Sequence, residues 1–220
     1  MMSDGLVLFD VDGTLQDAQA IIVDTVRIAF AESGMTPPMR DTILRLVGLS
    51  VPRMLGALVP GADEAEMAAL IANYRLAFAK SVPDAQAPLY PGVAEGLDRL
   101  EAAGHALGLA TGKSQRGVTR FLETNGWTRR FVTVQHADAN PSKPHPGMVR
   151  AALAETGAAP ARALVVGDTT FDVEMAHAAG VPCVAVSYGY HDADTLRRAA
   201  PAAVAATFDA AVDAVLDRLS

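Results

Sequence analysis

Apolar residues fall into two rhythms along this chain. Short continuous runs at 6–9, 105–110, 131–134, 163–166 and 183–186, with a weaker one at 202–206, have strand length and few polar interruptions. Between them, stretches at 93–103, 114–124, 146–155, 171–178 and 208–219 repeat their apolar positions at helical spacing. Gly104, Asn125-Gly126, Gly157 and Gly180 supply stops for four of these helices, and Ser114 is a good N-cap for one. Strands that are apolar almost throughout are buried on both faces. Their alternation with helices therefore predicts a parallel sheet covered by helices on either side.

The rhythm breaks after Leu15. Ile21, Ile22, Val26, Ile28, Ala29 and Phe30 mark an amphipathic helix ended by Ser33-Gly34. Two short helices, 40–46 and 52–58, flank Gly48-Leu49-Ser50, and a longer helix covers 63–79. No strand pattern occurs between Asp17 and Pro83, and Pro83, Pro88 and Pro91 then interrupt the chain repeatedly. The pattern predicts an α/β core built from 1–17 and 85–220, with a helical unit, 18–84, inserted into it.

In open parallel sheets, ligands bind beyond the carboxyl ends of the strands. Chemistry-bearing residues should therefore follow strands here, and they do. Asp10 and Asp12 close the first run, Thr111-Gly112 the second and Asp168 the fourth; Lys143 lies in the loop after 131–134. Two acidic residues two apart at the end of a buried strand would be costly to desolvate unpaired. A cation gives the reason for them, and an oxygen-rich pair suits Mg²⁺.

Asp10-Val11-Asp12-Gly13-Thr14-Leu15, directly after a hydrophobic strand, resembles the first motif of the haloacid dehalogenase-like phosphohydrolases. Thr111-Gly112-Lys113, Ser142-Lys143-Pro144 and Gly167-Asp168-Thr169-Thr170-Phe171-Asp172 are similar to the second, third and fourth motifs, in the expected order. The resemblance implies a Rossmann-like core with a helical cap, as in the subgroup that includes phosphoglycolate phosphatases and β-phosphoglucomutase. It implies Asp10 as nucleophile and Mg²⁺ ligand, and Asp12 as general acid/base whose backbone carbonyl also ligates the ion. It further implies Thr111 and Gly112 as phosphate binders and Lys143 as the ammonium that pairs with Asp10 and phosphate. Asp168 would be a direct Mg²⁺ ligand, and Asp172 would act through a metal-bound water or by holding Lys143. Relatives that dehalogenate lack an aspartate at the position of Asp12, so the resemblance favours phosphate esters. Thr14 reads as a turn stabiliser, Lys113 as a substrate-side or surface lysine, and Gln16 and His145 carry no assignment. Arg53 falls where cap residues approach substrate, and a surface arginine is an equal reading.

Totals narrow this further. The formal net charge is −7 and no basic run occurs, which disfavours nucleic acid as a partner. A single cysteine, Cys183, excludes an internal disulfide and sits in an apolar run, so it reads as a buried strand residue rather than a nucleophile. The first strand begins almost at once, without a signal-peptide pattern, and no apolar run approaches the ~20 residues of a membrane span. The expectation is a cytoplasmic, Mg²⁺-dependent phosphatase of a small phosphorylated metabolite, phosphoglycolate-like, acting as monomer or homodimer. A sugar phosphomutase shares every motif; a catalytically silent binding protein or a dehalogenase fits less well.

Overall fold

A computed structural model of the chain describes residues 5–81 and 87–220. Pro83 and the 84/85 boundary of the expected insertion lie outside the described residues. Six strands, β1 (Leu6–Phe9), β2 (Ala106–Thr111), β3 (Thr133–His136), β4 (Ala163–Gly167), β5 (Cys183–Val186) and β6 (Ala203–Ala205), form one sheet in the order β3-β2-β1-β4-β5-β6. Every neighbouring pair is parallel. The order reverses direction between β1 and β4, and that switch point is where such sheets leave a crevice for ligand.

Alternate residues of each strand feed two cores. Val7 and Phe9, with Leu107, Leu109, Leu164, Val166, Val184 and Val186, pack against α5 (Val93–Ala102), α6 (Gln115–Thr124) and α10 (Phe208–Leu219). Leu6, Leu8, Val165, Cys183 and Ala185 face the other way, onto α7 (Gly147–Thr156), α8 (Thr170–Ala178) and α9 (Ala193–Arg198). This is the doubly covered parallel sheet that the apolar runs imply. Cys183 is buried in β5, as its neighbours suggest.

Two details differ from the sequence pattern. β3 starts at Thr133, two residues into the apolar run, and ends at His136, two residues past it. Phe131 leaves the strand to pack on Trp127, while Gln135 enters it because Glu155 satisfies its side chain as it does that of Thr133. Helix α9 has no apolar stripe to announce it. It rests on an N-cap, Asp192, which accepts from Thr195 N–H at 2.9 Å, and on one buried residue, Leu196.

Helices α1 (Gln19–Glu32), α2 (Arg40–Leu44), α3 (Val51–Leu58) and α4 (Glu64–Ser81) build a third core of their own, with Ile22, Val26, Phe30, Ile43, Leu55, Leu70 and Tyr74. Ile28, which the helical pattern assigns to the apolar face of α1, is exposed. The strands of chain entering and leaving this helical group run side by side. Asp17 N–H donates to Pro88 O at 2.8 Å and Tyr90 N–H to Leu15 O at 3.0 Å.

Candidate active site

The site lies at the carboxyl ends of β1 and β4, and three separate segments supply its four charged side chains. Asp10 follows β1, and its N–H donates to Val166 O of β4 at 3.0 Å, which fixes the two strand ends together. Asp168 follows β4. Asp172 is the N3 residue of α8, one turn on, and Lys143 comes from the loop after β3. All four side chains are essentially removed from solvent. Asp10, Asp168 and Asp172 each offer a carboxylate oxygen within 4.8 Å of the others.

Lys143 organises two of these carboxylates. Its Nζ lies 3.0 Å from Asp10 Oδ1 and donates to Asp172 Oδ1 at 2.6 Å. The other oxygen of Asp172 accepts from Thr169 N–H at 3.1 Å and from Thr169 Oγ1 at 2.7 Å. Asp172 therefore holds Lys143 and caps α8 at once. Asp168 is held differently: Thr14 Oγ1 donates to its Oδ1 at 3.0 Å and the Tyr190 N–H to its Oδ2 at 2.8 Å. Gly13, at φ +88°, and Gly189 press on the same carboxylate. A Cβ on either would come within 2.1 and 2.3 Å of Asp168 Oδ2.

Electrostatics mark the cluster as incomplete. Burial pushes the Asp10 carboxyl up to about 6, with Asp172 and Asp12 adding to the rise against the pull of Lys143. Burial, then the charges of Asp10 and Asp172, drive Asp168 well upward too. Burial alone would lower Lys143, but Asp10 and Asp172 outweigh it and keep the ammonium charged. Three buried carboxylates against one buried ammonium leave an excess of negative charge. Asp10 Oδ2 has no partner among the described residues. An orphaned, buried carboxylate oxygen beside a second carboxylate, with only oxygen donors around it, fits a hard divalent cation.

This has a measurable consequence. A carboxyl raised in the folded state binds a proton that the unfolded chain has released, between about pH 4 and 6 for Asp10. Its contribution to stability is present at low pH and is lost as pH rises through about 6. The chelator-treated protein should therefore melt at a lower temperature near pH 8 than near pH 5.5. Millimolar Mg²⁺ should raise the melting temperature at the higher pH and do little at the lower. Thermal denaturation with and without chelator reads both.

Asp12 stands apart from the cluster. Its carboxylate takes the Lys113 ammonium at 2.8 and 2.9 Å and the Gln16 amide at 2.8 Å. The expectation that Asp12 contributes to the metal site thus rests on its backbone carbonyl alone; its side chain is engaged elsewhere. Lys113 is not a surface lysine: its side chain is 11% exposed. Thr111 is buried at the end of β2, and its Oγ1 accepts from Lys113 N–H at 3.3 Å. Gly112 sits under the helical group. A Cβ there would meet Gly48 O at 2.6 Å and Leu49 O at 2.7 Å. Two further bonds join the helical group to this side of the sheet. Ser50 N–H donates to Ser142 Oγ at 2.9 Å, and His191 Nε2 donates to Arg45 O at 3.1 Å. The Nδ1 of His191 accepts from Thr170 N–H at 3.1 Å, which requires the neutral Nε2–H tautomer. Segment 45–50 thereby docks onto the loops that carry Lys143, Asp168 and Asp172.

Thr14, read from the sequence as a turn stabiliser, also holds Asp168, and Gln16, Gly189, Tyr190 and His191 join the site without an assignment from the sequence. One signal was available for the last three: Ser187-Tyr188-Gly189-Tyr190-His191 directly follows β5, at one more strand exit. No helix among the described residues is long and apolar enough to cross a membrane.

With this geometry in place, likeness to known proteins is informative. Residues 7–186 match the family model described as haloacid dehalogenase-like hydrolase. The "Probable phosphatase IndB" of Dickeya dadantii is 37% identical over 214 residues, covering 95% of this chain and 92% of that protein. The phosphoglycolate phosphatase of Mesorhizobium japonicum is 33% identical over 223 residues, covering 99% and 97%. Among solved structures, a hydrolase from Pseudomonas syringae superimposes with a TM-score of 0.87 at 23% identity over 98% of this chain and 99% of that one. A "predicted phosphoglycolate phosphatase" from Haemophilus somnus 129pt does so with 0.86 at 23% identity, over 97% and 99%. These two structural likenesses establish the fold alone.

Proposed function

The chain belongs to the haloacid dehalogenase-like hydrolases, and on that premise we propose that it hydrolyses a small phosphorylated metabolite, phosphoglycolate-like, through an aspartyl-phosphate on Asp10 with Mg²⁺ bound. Membership and the phosphatase names of relatives matched over nearly their full length make it a phosphoric monoester hydrolase. One observation carries the finer reading: a buried Asp10 with an orphaned oxygen, held beside a charged lysine and a second buried carboxylate.

Asp10 and Asp168 would hold the ion, with the Asp12 carbonyl; Asp172 contributes by fixing Lys143. When bound, Mg²⁺ offsets the repulsion between carboxylate and phosphate and stabilises the charge that develops on the phosphoryl oxygens. Lys143 does the same from the protein side, and its bond to Asp172 fixes where the ammonium points. Asp10 attacks phosphorus, which splits one displacement into two. Thr111 Oγ1 and the Gly112 N–H would donate to the phosphoryl oxygens. Asp12, released from Lys113 and in its protonated form, gives its proton to the departing oxygen, and the carboxylate so formed recovers one from the attacking water. The helical unit 18–84 acts as a cap, and its 45–50 segment closes over the site and excludes bulk water.

A panel of phosphorylated metabolites assayed for phosphate release tests this. Phosphoglycolate should be turned over with Mg²⁺ and not in chelator. Release that survives complete chelation would remove the metal from the proposal. Isomerisation of β-glucose 1-phosphate in place of release would make the chain a mutase.

A further inference from the structure

We propose that the phenolic O–H of Tyr190 is a substrate-binding donor, placed to receive an anionic oxygen of the phosphorylated ligand; this rests on the phosphatase reading above. The residue sits at the meeting point of both halves of the site. Its N–H holds Asp168 at 2.8 Å. Its ring lies against Gly13, where a Cβ would come within 2.6 Å of Tyr190 Cδ2, and it packs on the core of the helical group. Its hydroxyl is buried there without a hydrogen-bond partner among the described residues.

A hydroxyl in that state has no structural use. Phenylalanine would fill the same space without burying an unmet polar group, which is destabilising. Tyr188, two residues earlier, shows the ordinary arrangement: its hydroxyl donates to Thr14 O at 2.7 Å. Two nearby carboxylates have other partners, Asp12 in Lys113 and Gln16, and Asp168 in Thr14 and the Tyr190 N–H, and no carboxylate, Asp10 included, takes the Tyr190 hydroxyl. A phenol carries its proton at neutral pH, so it can donate to an oxyanion that arrives. The surrounding carboxylates are acceptors and cannot serve a ligand oxyanion directly. A neutral donor on this side gives the ligand a contact that costs no added negative charge.

Tyr190→Phe and Tyr188→Phe separate this role from packing. Tyr190→Phe should lose about 10-fold or more in kcat/KM toward phosphoglycolate, the size of one hydrogen bond to a charged group. Its melting temperature should equal or exceed that of the parent protein. Tyr188→Phe breaks a bond that is made, so it should melt lower. Titration calorimetry of inorganic phosphate with Mg²⁺ present then identifies the acceptor. Weaker phosphate binding by Tyr190→Phe assigns it to a phosphoryl oxygen. Unchanged phosphate binding with a loss on phosphoglycolate that p-nitrophenyl phosphate does not share assigns it to the substrate carboxylate. No loss on any of the three overturns the proposal, as does a fall in melting temperature like that of Tyr188→Phe. A parent protein that releases phosphate from no ester sinks the hydrolytic reading instead. The phosphate titration then decides Tyr190 by itself, an unchanged affinity overturning it.

Discussion

Asp10→Asn should reduce turnover of any phosphomonoester by on the order of 10⁴-fold or more, as removal of a nucleophile does in other covalent hydrolases. The size follows from the chemistry. An amide oxygen is a poor nucleophile toward phosphorus, and a direct attack by water forfeits the two-step route. A loss of that size is more than about 5 kcal/mol of transition-state stabilisation. Stability should move the other way. Asp10 is buried against Asp172 and Asp168, and its carboxyl is driven up to about 6, so near neutral pH the metal-free protein carries a charge it does not favour. Asparagine has nearly the same shape without the charge. The chelator-treated variant should melt higher than the parent near pH 8, and the gap should close toward pH 4–5, where Asp10 is protonated. Mg²⁺ should stabilise the variant less than the parent. Single-point activity with Mg²⁺ and melting curves in chelator check the two halves. Retained turnover would remove Asp10 from its role whatever the melting curves show.

The opposite signs of these two effects say why the site was legible from residues alone. A buried strand such as Leu6–Phe9 gives no reason for an acid at its end, so Asp10 and Asp168 stand out against their own neighbours. Apolar runs placed the sheet for the same reason: continuous burial on both faces leaves a continuous sequence signature. What the sequence hid is held by backbone atoms and close packing. Tyr190 touches Asp168 through its N–H, which any residue but proline could supply. Gly189 matters because Asp168 Oδ2 needs its missing Cβ. Ser142 and His191 bind backbone atoms of the helical group, so no partner side chain betrays them. Lys113 gave no sign of its partner, because Asp12 lies 101 positions away and only the fold brings them together. β3 was displaced because Gln135 looks like a loop residue until Glu155 arrives from α7 to satisfy it.

Lys143→Met should be the most damaging single change to the fold among these residues. The ammonium is wholly buried and serves both Asp10 and Asp172. Methionine keeps much of the volume and removes the only charge among the described residues that pairs with these two buried carboxylates. Breaking a buried pair in this way costs about 3–5 kcal/mol, because the partners stay behind unpaired. At this chain length that is a fall of roughly 10 °C in melting temperature. Arginine offers no remedy, since its planar guanidinium needs more room than a side chain with no exposed surface has. The cause can be isolated with a second change. Asp172→Asn on top of Lys143→Met removes one stranded carboxylate while leaving an acceptor for Thr169 N–H. Most of the lost stability should return in the double variant, the coupling between the two sites being of opposite sign to simple additivity. Activity should not return, because neither residue then supplies a positive charge beside Asp10. A double variant as unstable as Lys143→Met alone would mean that packing volume, and not unpaired charge, sets the loss.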